Sequence, residues 1–178
     1  GTGLTQNDHR ARLDRLLYEE KSAAAKRLYR FLTPAEQDVA EARIALMADA
    51  KHAPALLSKL TFAQQNTPGV LFARIGWRVR HKQNDQLLEL FSAAPTNPPY
   101  ADLWWPARVT AAREAVSQRN ATVALKILAG HGDMKPEFLA EALWLKGWIT
   151  LQAKRDGATA YKDFYRLYSE VETPVSKA

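Results

Sequence analysis

The chain has 178 residues, of which 47% are apolar, and it carries five Trp, no Cys and a formal charge of +6 at pH 7. This length and apolar content suffice for a buried core, while the lack of Cys excludes disulfides, thiolate nucleophiles and thiolate metal sites. No apolar run reaches the length of a membrane span, because Lys146 and Thr150 interrupt the longest mixed stretch, residues 143–151.

The predicted elements are pairs of helices that repeat along the chain. Two loose copies come first, over residues 9–32 and 34–60, with turns near Lys21 and Lys51. The next three copies have turn residues Asp85, Asn120 and Asp156, which are 35 and 36 residues apart. Repeats of about 33 to 47 residues with two helices each are typical of α-solenoids. The sequence therefore predicts an all-α fold: a tetratricopeptide-like superhelix of antiparallel helix pairs that forms one domain over residues 1–178.

The basic residues do not predict a nucleic-acid interface, because they are interleaved with acids, as in residues 8–15. One denser group consists of Arg74, Arg78, Arg80, His81 and Lys82, and residues 74, 78, 81 and 82 are predicted to share a side of a helix. That side is either a ridge that binds anions or an ordinary solvated face beside Trp77.

The glycines and tryptophans predict how the helices pack. Gly76 and Gly147 lie inside predicted helices, where glycine is unfavourable unless a neighbouring helix approaches closely. The tryptophans Trp77, Trp144 and Trp148 lie on apolar helix faces and are expected in the core.

Residues that could carry out chemistry are sparse. The four His are never four residues apart on one helix, so the sequence predicts no metal site, and it has no glycine-rich phosphate loop for a nucleotide cofactor. Glu137 and Glu141 lie near a predicted helix start, where acids complement the helix dipole. No catalytic, cofactor-binding or metal-binding residue is predicted.

Five segments, in this order, resemble the superhelical domain of bacterial soluble lytic murein transglycosylases. They are LFARIGWRVRH (residues 71–81), WWPAR (104–108), ALWLKGWI (142–149), the segment 161–168, and TPVSKA (173–178). Enzymes of this family are periplasmic and cleave the bond between N-acetylmuramic acid and N-acetylglucosamine, forming 1,6-anhydro products. Their catalytic Glu is followed by Ser in a lysozyme-like domain, and this chain contains no Glu-Ser dipeptide.

The resemblance implies a periplasmic scaffold without catalytic residues, which lacks the downstream catalytic domain of the same chain and helps to position the peptidoglycan glycan strand. Trp104 and Trp105 point about 100° apart on a helix, which makes it hard to bury both. Either one is in the core and the other is exposed, where it could stack on a sugar, or a neighbouring repeat covers the second as well. Arg74, Arg78 and Lys82 could meet peptide carboxylates. The alternative is a tetratricopeptide-like adaptor that binds a protein or peptide in its groove.

Overall fold

The computed structural model describes residues 4–171, and the predicted segment 173–178 lies outside them. The described residues form eleven α-helices and no strand, which confirms the all-α prediction. The chain folds into two compact units, of which the first is Gly1–His81 and the second is Lys82–Ala178. The prediction of one continuous domain stays a prediction. Among the described helices, none combines the length and apolar character needed to cross a membrane.

The first unit contains six helices: α1 (Gln6–Tyr18), α2 (Ser22–Lys26), α3 (Pro34–Met47), α4 (Ala53–Lys59), α5 (Phe62–Gln65) and α6 (Pro68–Arg80). Leu17 of α1 and Ala25 of α2 are fully buried in one apolar cluster with Ala40 of α3. On its other side α3 packs against α4 and α6, where Ala42 and Val70 are fully buried. Helix α3 is therefore the centre of the first unit.

Three helices of the first unit begin with the same capping arrangement. Their N-caps are Thr5, Thr33 and Thr61, so that successive caps lie 28 residues apart. In each, the threonine hydroxyl accepts the backbone N–H three residues later, and the side chain of that later residue accepts the threonine N–H. The local sequence repeats as LTQNDH, LTPAEQ and LTFAQQ from residues 4, 32 and 60. The first unit thus has a 28-residue repeat.

Side-chain amides strengthen this repeat. Gln37 and Gln65 each donate to two backbone carbonyls, eight and five residues upstream, at 3.0 to 3.1 Å. Gln37 therefore links α3 to the segment just before it, and Gln65 links α5 to the end of α4 in the same way. The equal offsets show that the backbone follows the same path twice, 28 residues apart.

The second unit contains five helices: α7 (Leu87–Ala93), α8 (Ala101–Ser117), α9 (Ala121–Ala129), α10 (Pro136–Lys154) and α11 (Gly157–Glu170). Helices α8 and α9 contact each other, as do α9 and α10, and α10 and α11. Gly147 of α10 lies against Phe164 of α11: a Cβ added to this glycine would fall 2.7 Å from the ring. The predicted close approach is confirmed at Gly147.

At Gly76 that prediction is wrong. A Cβ added there would meet only the Arg80 guanidinium of its own helix, at 3.4 Å, among the described residues. Helix α6 is half-buried at this point, so its glycine is not needed for a neighbouring helix to approach.

Five long helices end in the same kind of turn, in which one residue other than glycine has a left-handed conformation. These residues, with φ between 51° and 58°, are Glu20, Asp49, Lys82, Arg119 and Arg155. The predicted turns near Lys21 and Lys51 and at Asn120 and Asp156 lie within two residues of them. Asn120 and Asp156 also cap the next helices, each accepting a backbone N–H three residues later.

The prediction that Asp85 is the turn residue at the end of α6 is wrong. Asp85 lies in a short 3-10 turn, Asn84–Gln86, whereas α6 has already ended at Arg80 and the left-handed residue is Lys82. The matching of Gly76 with Gly147 placed the turn three residues too late, because α6 ends sooner after its glycine than α10 does.

Candidate functional site

The predicted contact residues Trp104 and Trp105 are both buried, with 0% and 1% of their surface exposed. Trp104 donates its indole N–H to the Pro99 carbonyl at 3.1 Å, and Trp105 donates to the Glu141 carboxylate at 2.6 Å. Of the two alternatives for this pair, an exposed indole is therefore wrong, and the structure has the one in which neighbours cover both. The loop before α8 contacts Trp104, and α10 contacts Trp105. Both indoles are therefore buried, although they point about 100° apart on α8.

The exposed indoles belong to Trp144 and Trp148 of α10, with 50% and 42% of their surface accessible. Their rings lie nearly parallel, with an angle of 13° between the planes and 6.3 Å between the centroids. The prediction that both are core residues is wrong, because Gly147 and not an indole faces α11. Trp77 is half-buried.

Helix α11 carries a similar row. Its exposed tyrosines have the spacing i, i+4, i+7, as do the exposed Trp144, Trp148 and Leu151 of α10. Tyr161 and Tyr165 stack at 5.9 Å. We call these two rows together the aromatic face; its members are Trp144, Trp148, Leu151, Tyr161, Tyr165 and Tyr168.

The two rows lie on the same side of the α10 and α11 pair. The helices are joined by a two-residue turn and are antiparallel, with Gly147 and Phe164 at their contact. Lys146 and Asp163, the residues just before these contacts, form a 3.1 Å ion pair on one side of the interface. Since each residue advances about 100° around a helix, both rows fall on the side opposite that ion pair. The aromatic face therefore lies on one side of this helix pair.

A groove of about 380 Å³ extends this surface from α10 to α8. The indoles of Trp144 and Trp148 form one wall, and Val116, Leu145 and Ile149 contribute to its apolar lining. Arg113 stands at its edge with 70% of its side chain exposed. Aromatic rings, tyrosine hydroxyls and indole N–H groups can together bind a ligand that is apolar on one face and polar at its edges.

Only part of the predicted basic ridge lies on helix α6. Arg74 donates to the Gln65 carbonyl at 3.1 Å, and the Arg78 guanidinium lies 5.3 Å from the centroid of the Trp77 ring. Helix α6 ends at Arg80, and Lys82 lies beyond it in a left-handed conformation. The prediction that Lys82 shares their helix face is therefore wrong. The role of Arg74 and Arg78 as ligand contacts stays a prediction.

A smaller groove of about 140 Å³ adjoins these arginines. Leu46 of α3, Pro54 and Leu57 of α4 and Trp77 of α6 form its walls, and Arg74 and Arg78 line the same groove. In this groove of the first unit, cationic side chains meet an apolar recess.

Hydrogen bonds lower the pKa of several carboxylates. The Thr159 backbone N–H does so for Asp156, the Thr33 backbone N–H for Glu36, and the Arg80 guanidinium for Asp49. A general acid instead needs a raised pKa. These acids therefore cap helices or pair with arginine. Within residues 4–171, no group of three or more His, Asp or Glu side chains is placed to hold a metal ion.

The sequence predicts that these aromatic residues share a helix face, but it does not predict that the face is exposed. Aromatic residues at 144 and 148, and at 161, 165 and 168, follow helical spacing, and spacing identifies a face without telling whether it is covered. The 28-residue repeat is likewise visible in the three Leu-Thr pairs.

No protein-family model, no curated protein and no solved structure matches this chain.

Proposed function

We propose that this chain is the superhelical scaffold of a periplasmic lytic murein transglycosylase, which holds the glycan strand for a catalytic domain elsewhere in the same protein. Five segments that occur along the chain in the same order as in this family support the proposal. The bond cleaved by the whole enzyme joins N-acetylmuramic acid to N-acetylglucosamine. The part assigned to this chain is binding and positioning, without catalysis.

The helix pairs support an α-solenoid as the architecture for this role. Five long helices end in turns that contain one left-handed residue, and the first unit repeats its caps every 28 residues. Regular helix pairs that stack on their neighbours present extended surfaces, which suit a linear polymer such as a glycan strand.

The aromatic face is the observation that carries the proposal. Pyranose rings have apolar C–H faces and hydroxyl edges, so they stack on Trp and Tyr rings while their edges form hydrogen bonds. The near-parallel indoles of Trp144 and Trp148 form such a platform, and the tyrosines of α11 extend it on the same side. Arg113 at the edge of the groove suits the carboxylate of a muramic acid or of an attached peptide.

The test is binding to purified sacculi by pull-down, with analysis of released products by mass spectrometry. Replacing both indoles, Trp144→Ala with Trp148→Ala, is expected to weaken binding about tenfold or more, because each ring stack contributes about 0.5–1.5 kcal/mol. Phe62→Ala is the matched control, since Phe62 is an exposed aromatic residue of α5 that belongs to the first unit and not to the aromatic face. It is expected to leave binding unchanged.

Product analysis tests the other half of the proposal. Released 1,6-anhydromuropeptides would contradict a scaffold without catalytic residues, and equal binding by the double variant and the wild type would contradict the aromatic face. Binding that instead falls steeply with salt would indicate Arg74 and Arg78, since exposed charges are screened within about 10 Å at 0.1 M salt.

The second candidate is a tetratricopeptide-like adaptor that binds a protein or peptide. The apolar groove between α8 and α10 favours it, because a peptide side chain could lie against Leu145 and Ile149. A chain that captures no sacculi at any salt concentration, but does bind peptides in this groove, would support the adaptor.

A further inference from the structure

The net charge of the protein originates in one segment. Residues 50–84 contain six of the 25 Lys and Arg residues and none of the 19 Asp and Glu residues. The rest of the chain is balanced, with 19 of each kind, so the whole excess of +6 comes from this segment. The interleaving of bases with acids, predicted for the entire chain, does not extend to it. A concentration of one charge sign attracts ligands of the opposite sign.

This positive segment supplies five of the six residues that line the groove between α3, α4 and α6, all except Leu46 of α3. The groove's volume of about 140 Å³ is close to that of protein cavities that admit a benzene-sized group. Leu46, Pro54 and Leu57 make its walls apolar, whereas Arg74 and Arg78 add positive charge. A ligand that fits both features carries an apolar side chain next to carboxylates.

The arginines are held in position by their own helix and its neighbour. Arg74 is anchored on the Gln65 carbonyl, and Arg78 lies over the Trp77 ring. Helix α6 already binds one carboxylate with an arginine: Arg80 donates to Asp49 Oδ1 through Nη2 at 3.1 Å and to Oδ2 through Nε at 3.3 Å. A planar guanidinium matches a carboxylate with two parallel N–H donors.

Trp77 argues against a nucleic acid as the ligand. Its ring is stacked with His81, with 4.1 Å between the centroids and 27° between the planes, and Arg78 also lies over it. Single-stranded nucleic acids are held by aromatic rings that stack on bases. His81 and Arg78 therefore already occupy the Trp77 ring on which a base would have to stack.

We propose that the groove between α3, α4 and α6 binds an acidic linear segment of a partner protein, which places an aliphatic side chain between Leu57 and Trp77 and its flanking carboxylates on Arg74 and Arg78. This inference does not depend on the glycan function, since it concerns the first unit and a different ligand.

The test uses fluorescence anisotropy with labelled synthetic peptides. One acidic peptide carries two central leucines, a second has serines in their place, and an oligonucleotide of equal charge is the third probe. The leucine peptide is expected to bind about tenfold more tightly than the serine peptide, and its affinity should fall as salt rises from about 50 to 300 mM. Equal binding of the two peptides, or tighter binding of the oligonucleotide, would overturn the proposal.

Charge-matched variants locate the site. Arg74→Gln with Arg78→Gln is expected to weaken binding of the leucine peptide about tenfold, whereas Arg12→Gln with Arg27→Gln, which removes the same charge from exposed positions of the first unit, should change it less than about twofold. An equal loss in both double variants would show attraction by net charge alone and would refute the groove.

Two further variants separate binding from folding. Leu57→Ala should remove the preference for leucine over serine while retaining the salt dependence. Arg74→Lys with Arg78→Lys preserves the charge and should recover only part of the affinity, because lysine cannot form the paired hydrogen bonds. Circular dichroism melts confirm that each variant is folded. Trp144→Ala with Trp148→Ala should leave peptide binding intact, so that this proposal and the glycan proposal can fail separately.

Discussion

Each of the two units buries one arginine, and the two arginines are held differently. Arg43 in the first unit is 5% exposed and donates to the Asp14 carboxylate at 2.6 Å. Arg108 in the second unit is 2% exposed and donates to two backbone carbonyls, those of Ile127 at 2.9 Å and Pro95 at 2.8 Å. The first arginine thus has an ionic partner, whereas the second satisfies backbone groups.

This difference shows what each buried charge does for its unit. Asp14 keeps 41% of its side chain exposed, so the first pair is partly hydrated. Burial lowers the pKa of Arg108 to about 10, which still leaves it protonated at neutral pH. Its bond to Ile127 lies near the C-terminal end of α9, where the helix dipole favours a cation. Arg108 therefore joins the end of α9 to the loop before α8.

The largest expected effect comes from removing these charges. Arg108→Met should lower the free energy of unfolding by about 2–4 kcal/mol, since the buried Ile127 carbonyl and the partly buried Pro95 carbonyl lose their donor, and an unsatisfied buried group costs about 1–3 kcal/mol. Arg43→Met should cost less, about 1–2 kcal/mol, because Asp14 can return to water. Urea unfolding of both variants measures the difference. A larger loss for Arg43→Met would mean that the ion pair with Asp14 contributes more to stability than the hydrogen bonds from Arg108 to the backbone carbonyls.

Two helix glycines provide a second comparison between the units. Gly147→Ala should destabilise the protein by about 1–3 kcal/mol, because its new Cβ would lie 2.7 Å from the Phe164 ring. Gly76→Ala should instead stabilise it by about 0.5–1 kcal/mol, because alanine favours the helix and meets only a flexible arginine. Thermal melts of the two variants should shift in opposite directions. Shifts of the same sign would refute the packing difference.

The smallest expected effect concerns pH. Hydrogen bonds hold the pKa values of Glu36 in the first unit and Asp156 in the second below their usual range. A depressed folded-state pKa contributes stability above the unfolded pKa of about 4, and this contribution is lost as pH falls through the folded value. The melting temperature should therefore decrease below about pH 4.

Amide variants isolate that contribution. Asp156→Asn preserves an oxygen that can cap α11 but cannot titrate, so its melting temperature should fall less steeply between about pH 4 and 2 than that of the wild type. Glu36→Gln should act similarly in the first unit. Parallel curves for wild type and variants would show that other groups cause the acid sensitivity.

Helix content and helix ends were predictable from local sequence. Asn120 and Asp156 mark helix starts because a side chain caps a backbone N–H only three residues away. The turns near Lys21 and Lys51 were located for a similar reason, since a helix end depends on its own few residues. Asp85 was misplaced because it was assigned by analogy with another copy, although α6 has a different length after its glycine.

The sequence by itself determined which residues share a helix face, because helical geometry sets that face by spacing alone. Only the tertiary structure decided which faces are buried. Trp105 is interior because Glu141, 36 residues away, accepts its indole N–H, whereas Trp144 and Trp148 are exposed because Gly147 takes the contact with Phe164. Those contacts depend on which helix packs beside which, and that choice depends on residues far apart in the chain. The aromatic face could therefore be located only once α8, α10 and α11 were in place.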